Sequence, residues 1–209
     1  MATTFPKARQ RLLEGALNLT SDTIKAVLVD VHDITGSTIT GVTNVVNPTI
    51  TTSAAHGLLT GGEVVIGGVL GATGVNGTWV VASAPTTTTF TITAAAPGVY
   101  TSGGWVFNLA LELLGDIPAA GRVAISPALA AKTVVNGVFD ADDAVLPAVT
   151  GDPIEVIVVY KDTGAVGTST LIALIDKRSD GTDIAFTPNG GSLTVAWSGG
   201  ADRIFRLTP

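Results

Sequence analysis

The chain has 209 residues, of which 46% are hydrophobic and 13% are charged, and its formal net charge is −6. This composition excludes an intrinsically disordered chain, and the acidic balance counts against binding nucleic acid through its phosphates. There is no cysteine, which excludes disulfides and thiolate chemistry, and no apolar run approaches the roughly 20 residues that a membrane helix needs.

The N-terminal segment predicts a short helix followed by a strand. Pro6 suits the first turn of a helix, and the apolar residues that follow fall on one stripe, so we expect a helix over residues 6–17. Residues 23–31 carry apolar side chains on both faces of a strand pattern. This indicates a central strand that is covered on both sides.

A window with almost no charge follows. From residue 39 to residue 106 the only charged side chain is Glu63. Strands are predicted near residues 44–52, 63–67, 77–83, 87–94 and 104–106, separated by turns rich in glycine or containing proline. The step in composition indicates a separate module, and the even spacing of the strands predicts a small β-barrel-like fold.

The sequence after the window predicts further strands. Residues 107–114 alternate in polarity and are expected to return to the sheet formed by the flanking sequence. The strongest strand, at residues 154–160, is expected to pair with residues 171–176. Shorter strands are predicted at residues 123–126, 133–139, 144–146, 183–186, 192–197 and 203–207.

These elements define an all-β fold class with two parts. Residues 1–38 and 107–209 are predicted to form a discontinuous β-sandwich-like base domain with a short N-terminal helix. Residues 39–106 are predicted to form an inserted small β-barrel-like module. Isolated hairpins are only marginally stable, so the strands of the base domain are expected to pack as a pair of sheets.

The densest acidic cluster consists of Asp140, Asp142 and Asp143. Calcium binds such carboxylates, but a calcium loop would need a glycine at its sixth position and a glutamate at its twelfth, and both are missing. A solvated loop is favoured, and no metal ligand is assigned.

Catalytic and nucleotide-binding sites are also not predicted. His32 and His56 are the only histidines, and neither lies near a nucleophile motif, so structural roles are favoured. The glycine-rich residues 67–77 lack the Lys and Ser/Thr of a phosphate-binding loop and are followed by a predicted strand, so β-turns are favoured. We therefore expect no enzyme activity, no catalytic residue and no cofactor.

Two groups of side chains are candidates for surface contacts. The three tryptophans are Trp79, Trp105 and Trp197. If exposed, they would indicate a carbohydrate or protein contact, but core positions are favoured. A small basic patch on the predicted helix could meet an acidic partner, although a solvated helix face is favoured: Lys7, Arg9 and Arg11.

Short segments of the base domain resemble a set of small virion proteins of tailed bacteriophages. The segments are VFDADD at 138–143, VIVVYKDT at 156–163, LIALID at 171–176, TPNGG at 187–191 and RIFRL at 203–207. The window resembles a different module, the half-domain also found in ubiquitin-activating enzymes. Its segments are AAHGL at 54–58, TGGEVVI at 60–66, NGTW at 76–79 and TFTI at 89–92.

The resemblance implies a non-enzymatic structural protein of the virion, assembled in the cytoplasm of the bacterial host. Its expected role is capsid decoration or cement on the outer shell. The expected partners are the major capsid protein or other virion proteins, together with further copies of the chain. Binding to nucleic acid or to a membrane is not expected. The alternatives are a tail or head–tail accessory protein and a glycan-binding surface module. The charge-poor window is the first place to expect the partner surface.

Overall fold

The computed structural model describes residues 2–200 and 203–207, and most of its regular structure is antiparallel strand. The predicted all-β class is confirmed. The chain forms two compact units: the first contains Met1–Asp30 and Leu111–Pro209, and the second contains Val31–Ala110. The second unit includes the whole charge-poor window and extends beyond it at both ends. Residues 1, 201, 202, 208 and 209 of the predicted base domain lie outside the described residues.

The first unit contains one helix and ten described strands, and elements are numbered in order along the whole chain. They are β1 (Ala2–Thr4), α1 (Pro6–Leu13), β2 (Ile24–Val29), β9 (Arg122–Ile125), β10 (Thr133–Val135), β11 (Val138–Asp140), β12 (Ala144–Leu146), β13 (Val156–Lys161), β14 (Thr170–Ile175), β15 (Leu193–Val195) and β16 (Phe205–Arg206). The second unit contains β3 (Ile39–Val42), β4 (Thr49–Thr52), β5 (Glu63–Gly67), β6 (Gly77–Ser83), β7 (Thr89–Ile92) and β8 (Trp105–Asn108).

The largest sheet of the first unit has the strand order β1-β14-β13-β2-β9. Its central strand β13 is antiparallel to β14 on one side and to β2 on the other, which confirms the predicted pairing of these two C-terminal strands. Val156, Val158 and Val159 are fully buried, so both faces of the central strand are covered. Two smaller sheets, β10-β11-β16 and β12-β15, complete the described strands of this unit.

Helix α1 is shorter than predicted because the backbone turns after it. The helix begins at Pro6 as expected but ends at Leu13, and Gly15 adopts a φ of 70°. This left-handed conformation is typical of a helix C-terminus and is easily adopted only by glycine. The helix packs near β14, with Ala8 buried and the Phe5 N–H bonded to the Ile172 carbonyl at 3.0 Å.

Some predicted strands of the first unit are divided or shortened by turns. Residues 133–139 were predicted as one strand, but Asn136 and Gly137 have φ values of 52° and 76° and connect β10 to β11 as a hairpin. Two successive positive φ values are the mark of a tight hairpin turn. Residues 183–186 form only isolated bridges, through Asp183 and Phe186.

The second unit is a six-stranded antiparallel sheet with the order β3-β4-β7-β6-β5-β8. Its core contains fully buried aliphatic and aromatic side chains, among them Ile50, Ile66 and Phe90. A single antiparallel bridge from Thr38 to Trp105 links the two ends of the sheet. One bridge is not a paired strand, so the described strands do not form a closed barrel even though the ends of the sheet meet there.

Two further strand predictions are only partly right. Residues 44–52 are predicted as one strand, but Asn47 has a φ of 56° and the segment from 43 to 48 is a turn, so only β4 is strand. Residues 107–114 are expected to join the sheet of the flanking sequence. Phe107 and Asn108 instead pair with Val65 and Val64 of the second unit. Leu113 does reach the sheet of the first unit, through an isolated bridge to Thr170.

Within the described residues, no helix combines the length and the apolar character that a membrane span requires.

Asp162 holds the end of β13 against the start of β2. Its carboxylate forms an ion pair with the Lys25 Nζ at 2.6 Å and accepts a hydrogen bond from the Gly164 N–H at 3.0 Å. The Lys25 hydrogen bond, followed by that of Gly164, lowers the pKa of Asp162. Because the pKa is lower in the folded than in the unfolded chain, the stabilisation is complete above about pH 4 and is lost as the pH falls through the folded value.

Asp162→Asn is therefore expected to destabilise the first unit by roughly 1–2 kcal/mol at pH 7. The difference from the wild type should shrink as the pH falls from about 4 towards 2, because the wild-type carboxylate is then protonated. Urea unfolding at a series of pH values measures it. The control is Asp142→Asn, since the exposed Asp142 side chain has no described contact. A pH-independent difference would contradict the role given to the Asp162 charge.

Candidate functional site

The acidic cluster is part of the framework of the first unit. The Asp143 Oδ1 accepts the backbone N–H of Trp197 at 2.9 Å, and the Asp142 carbonyl accepts the Trp197 indole N–H at 3.0 Å. Asp140 pairs with the Nε of Arg203 at 3.5 Å. Within the described residues, these carboxylates do not belong to any group of three side chains placed to share a metal ion.

The two histidines lie in different environments of the second unit. His32 is exposed in a short 3₁₀ turn, Val31–Asp33. His56 is buried, its Nδ1 accepts the Leu58 N–H at 2.9 Å, and its ring packs edge-on against Phe90 at 5.4 Å. His56 Nε2 has no hydrogen-bond partner among the described residues, so the ring is not held by a carboxylate as in a catalytic triad.

The glycine-rich segment is required by close packing. A Cβ at Gly67 would lie 2.3 Å from Cζ2 of Trp105, and one at Gly71 would lie 2.1 Å from the Val99 carbonyl oxygen. The side chain of Asn76 closes the segment by bonding both the N–H and the carbonyl of Val69 at 3.0 Å. These contacts account for the glycines without a bound phosphate.

The tryptophans divide between core and cavity. Trp105 is 5% exposed, and Trp79 packs against the core of the second unit with its indole N–H bonded to the Val75 carbonyl at 2.7 Å. Trp197 is half-buried and lines a cavity in the first unit. Trp105 is therefore not placed to stack on a sugar, whereas Trp79 is partly exposed.

The basic side chains of α1 have partners within the first unit. The Lys7 Nζ lies 3.8 Å from the Glu112 carboxylate, and the Arg11 guanidinium donates to the Thr170 hydroxyl at 2.6 Å. Arg9 donates to the Thr4 carbonyl at 2.8 Å. The predicted basic patch is therefore largely engaged in local contacts.

The cavity that contains Trp197 has a volume of about 830 Å³. Its floor is one cross-strand row of the largest sheet, because the strand register places Ala2 opposite Ile175, Ile175 opposite Ile157, and Ile157 opposite Leu28. Ile157 lies on the central strand and yet is only half-buried, since its side chain faces the cavity.

The other walls of the cavity are also mainly apolar. They come from the loop after β14, from β15 and its continuation, and from β16, and include Ile184, Phe186, Leu193, Val195, Ile204 and Phe205. The cavity opens to solvent, so water fills it in the free protein, and its apolar floor gives that water few hydrogen-bond partners.

Within the described part of the chain, the charged residues that line the cavity are all basic: Lys177, Arg178, Arg203 and Arg206. They are four of the 11 Lys and Arg residues in a chain whose net charge is −6. Lys177 forms an ion pair with Asp183, and Arg203 forms one with Asp140. These pairs are partly exposed to solvent, where an ion pair contributes only about 0–1 kcal/mol, so both cations can turn towards an anion.

A second surface feature lies on three neighbouring loops of the second unit, which we call the apolar tip. Loop 43–48 is joined to loop 94–102 by the Gly98 N–H, which donates to Asn44 Oδ1 at 3.1 Å. Loop 94–102 is joined to loop 68–74 by the Leu70 N–H, which donates to the Ser102 carbonyl at 3.0 Å. The three loops of the tip contain no charged residue. Their exposed large apolar side chains are Val45 (54% exposed), Val46 (69%), Leu70 (56%) and Val99 (69%).

A scan of the sequence against protein-family models finds no match, and a search of curated proteins finds none either.

Sequence reasoning missed the cavity. Its floor joins residues from β1, β2, β13 and β14, which the sequence separates widely. One signal was present, because four basic residues fall within the last 33 positions of an otherwise acidic chain. The apolar tip lies inside the window where a partner surface was expected.

Gly67→Ala is expected to destabilise the second unit by about 1–3 kcal/mol, because the added methyl group would overlap the buried Trp105 ring. Urea unfolding monitored by tryptophan fluorescence measures the change in the free energy of unfolding. Gly41→Ala is the matched control, since a Cβ at Gly41 would have its nearest neighbour at 3.8 Å, on Thr51. Equal stability of the two variants would contradict the packing reason given for Gly67.

Proposed function

We propose that the protein is a non-enzymatic structural component of a bacteriophage virion and that it decorates the outer face of the capsid. The apolar tip carries this proposal. Exposed apolar side chains on three adjoining loops, without a charge among them, are typical of a surface that is covered by another protein. The proposed partners are the major capsid protein and neighbouring copies of the same chain.

The architecture supports a role in assembly. Val31–Ala110 forms a compact unit inserted into the sequence of another, and its loops present the tip. The residue patterns that resemble phage virion proteins fall in the first unit, and those that resemble the half-domain of ubiquitin-activating enzymes fall in the second. Weak individual contacts suffice on a capsid, because many copies bind neighbouring sites at a high effective concentration.

The half-domain that the inserted unit resembles also occurs in phage tail components, so a tail or head–tail accessory role is the second candidate. The number of copies separates the two roles. The glycan-binding alternative is less well supported, because Trp105 is buried and Trp79 packs against the core of the second unit and is only partly exposed.

Quantitative mass spectrometry of purified particles of the phage that encodes the chain tests the proposal. Hundreds of copies per particle are expected for decoration. A handful of copies would overturn decoration in favour of the tail role, and absence from purified particles would overturn both.

The contribution of the apolar tip can be measured by adding the purified protein to particles that lack it. Val46→Glu combined with Val99→Glu is expected to reduce the bound copies at least 10-fold, because burying unpaired carboxylates costs more than 1.4 kcal/mol. Val145→Glu combined with Val166→Glu is the matched control, with two exposed valines of the first unit. Equal binding of the two double variants would exclude the tip as the contact surface.

A further inference from the structure

We propose that the cavity of the first unit binds an amphipathic anion, namely an aliphatic chain that carries one carboxylate head group. This proposal is independent of the virion role, because it concerns a different unit and different residues. It requires that the apolar floor accept the chain and that the basic lining residues accept the head group.

The size and lining of the cavity fit the aliphatic chain. Small-molecule sites usually have volumes of 300–1,000 Å³ and are mostly apolar with a few polar groups, and this cavity of about 830 Å³ lies within that range. The row Ala2, Ile175, Ile157 and Leu28 gives a continuous aliphatic floor across four strands. A flexible chain can lie along such a row and displace water that has few hydrogen-bond partners there.

The charges of the lining fit the head group. Among the described residues that line the cavity there is no aspartate or glutamate, whereas four are basic. The exposed Arg178 interacts electrostatically with the exposed Asp180, and because such surface interactions are weak, its guanidinium can turn to bind a carboxylate through two parallel hydrogen bonds. A cationic amphiphile would add a positive charge to this basic lining and a neutral one would gain nothing from it, which is why the proposal commits to an anion.

Isothermal titration calorimetry of the full chain with laurate, kept below its micelle-forming concentration, tests the proposal. Saturable binding of one laurate per chain is expected. Butyrate tests the need for the chain, and dodecyltrimethylammonium tests the need for the negative charge. Both should bind at least 10-fold more weakly than laurate. Absence of laurate binding, or equal binding of the dodecyltrimethylammonium cation, would overturn the proposal.

Variants locate the bound molecule. Arg178→Ala is expected to weaken laurate binding about 10-fold, whereas Lys7→Ala, which removes the same charge from α1, should leave it unchanged. Ile157→Trp fills the cavity from the floor and should abolish binding. Leu193→Trp fills it from the half-buried strand β15 and serves if Ile157→Trp does not fold. Laurate binding that persists in a folded filling variant would show that it binds elsewhere.

Trp197 gives a second readout, because it lines the cavity whereas Trp79 and Trp105 belong to the second unit. Laurate should change the fluorescence of the wild type and not that of Trp197→Phe, while the calorimetric signal of that variant persists. The alternative occupant of the cavity is a segment of a neighbouring protein. In that case laurate would not bind, and the variants that fill the cavity would lower the number of copies on particles. These two results together would overturn the proposal.

Discussion

The antiparallel pairing of β2 with β13 is the constraint on which the first unit depends. It joins sequence that precedes the inserted unit to sequence that follows it, with Ile24 to Val29 facing Lys161 to Val156. Strand β2 also pairs with β9, so without it the five-stranded sheet would lose its continuity. Closing a flexible loop costs only about 0.6 kcal/mol for each doubling of its length, so an inserted segment is tolerated where it folds by itself. The second unit has a buried core of its own, which includes Phe90, as independent folding requires.

The two units differ in how their side chains meet the surroundings. The second unit exposes apolar residues on loops that carry no charge, which is suited to contact with a large, complementary protein surface. The first unit has a cavity with an aliphatic floor and basic residues in its lining, which is suited to a small molecule with one charged end. Most of the polar groups singled out by the sequence have structural contacts instead: Asp143 holds Trp197, and Arg11 holds Thr170.

Local patterns were sufficient to predict many of the strands, and the errors fall at turns inside apolar segments and at contacts between distant residues. The bounds of β5, β6 and β12 agree with the sequence prediction, because each segment is flanked by turn residues. Predictions failed at turns with a positive φ, at Asn47 and at Asn136 with Gly137, because apolar residues continue on both sides of each turn. The cavity could not be predicted, because the register of four strands determines its floor and no local pattern encodes that register.

The existence of two separately folding units is tested most directly by excising residues 31–110 and joining Asp30 to Leu111 through a short glycine–serine linker. Urea unfolding of this shortened chain, and of the isolated 31–110 segment, should in each case give one cooperative transition. The shortened chain should also keep the resolved NMR amide signals of β2 and β13. A shortened chain that shows no cooperative unfolding would contradict the pairing of β2 with β13 as a self-sufficient framework for the first unit.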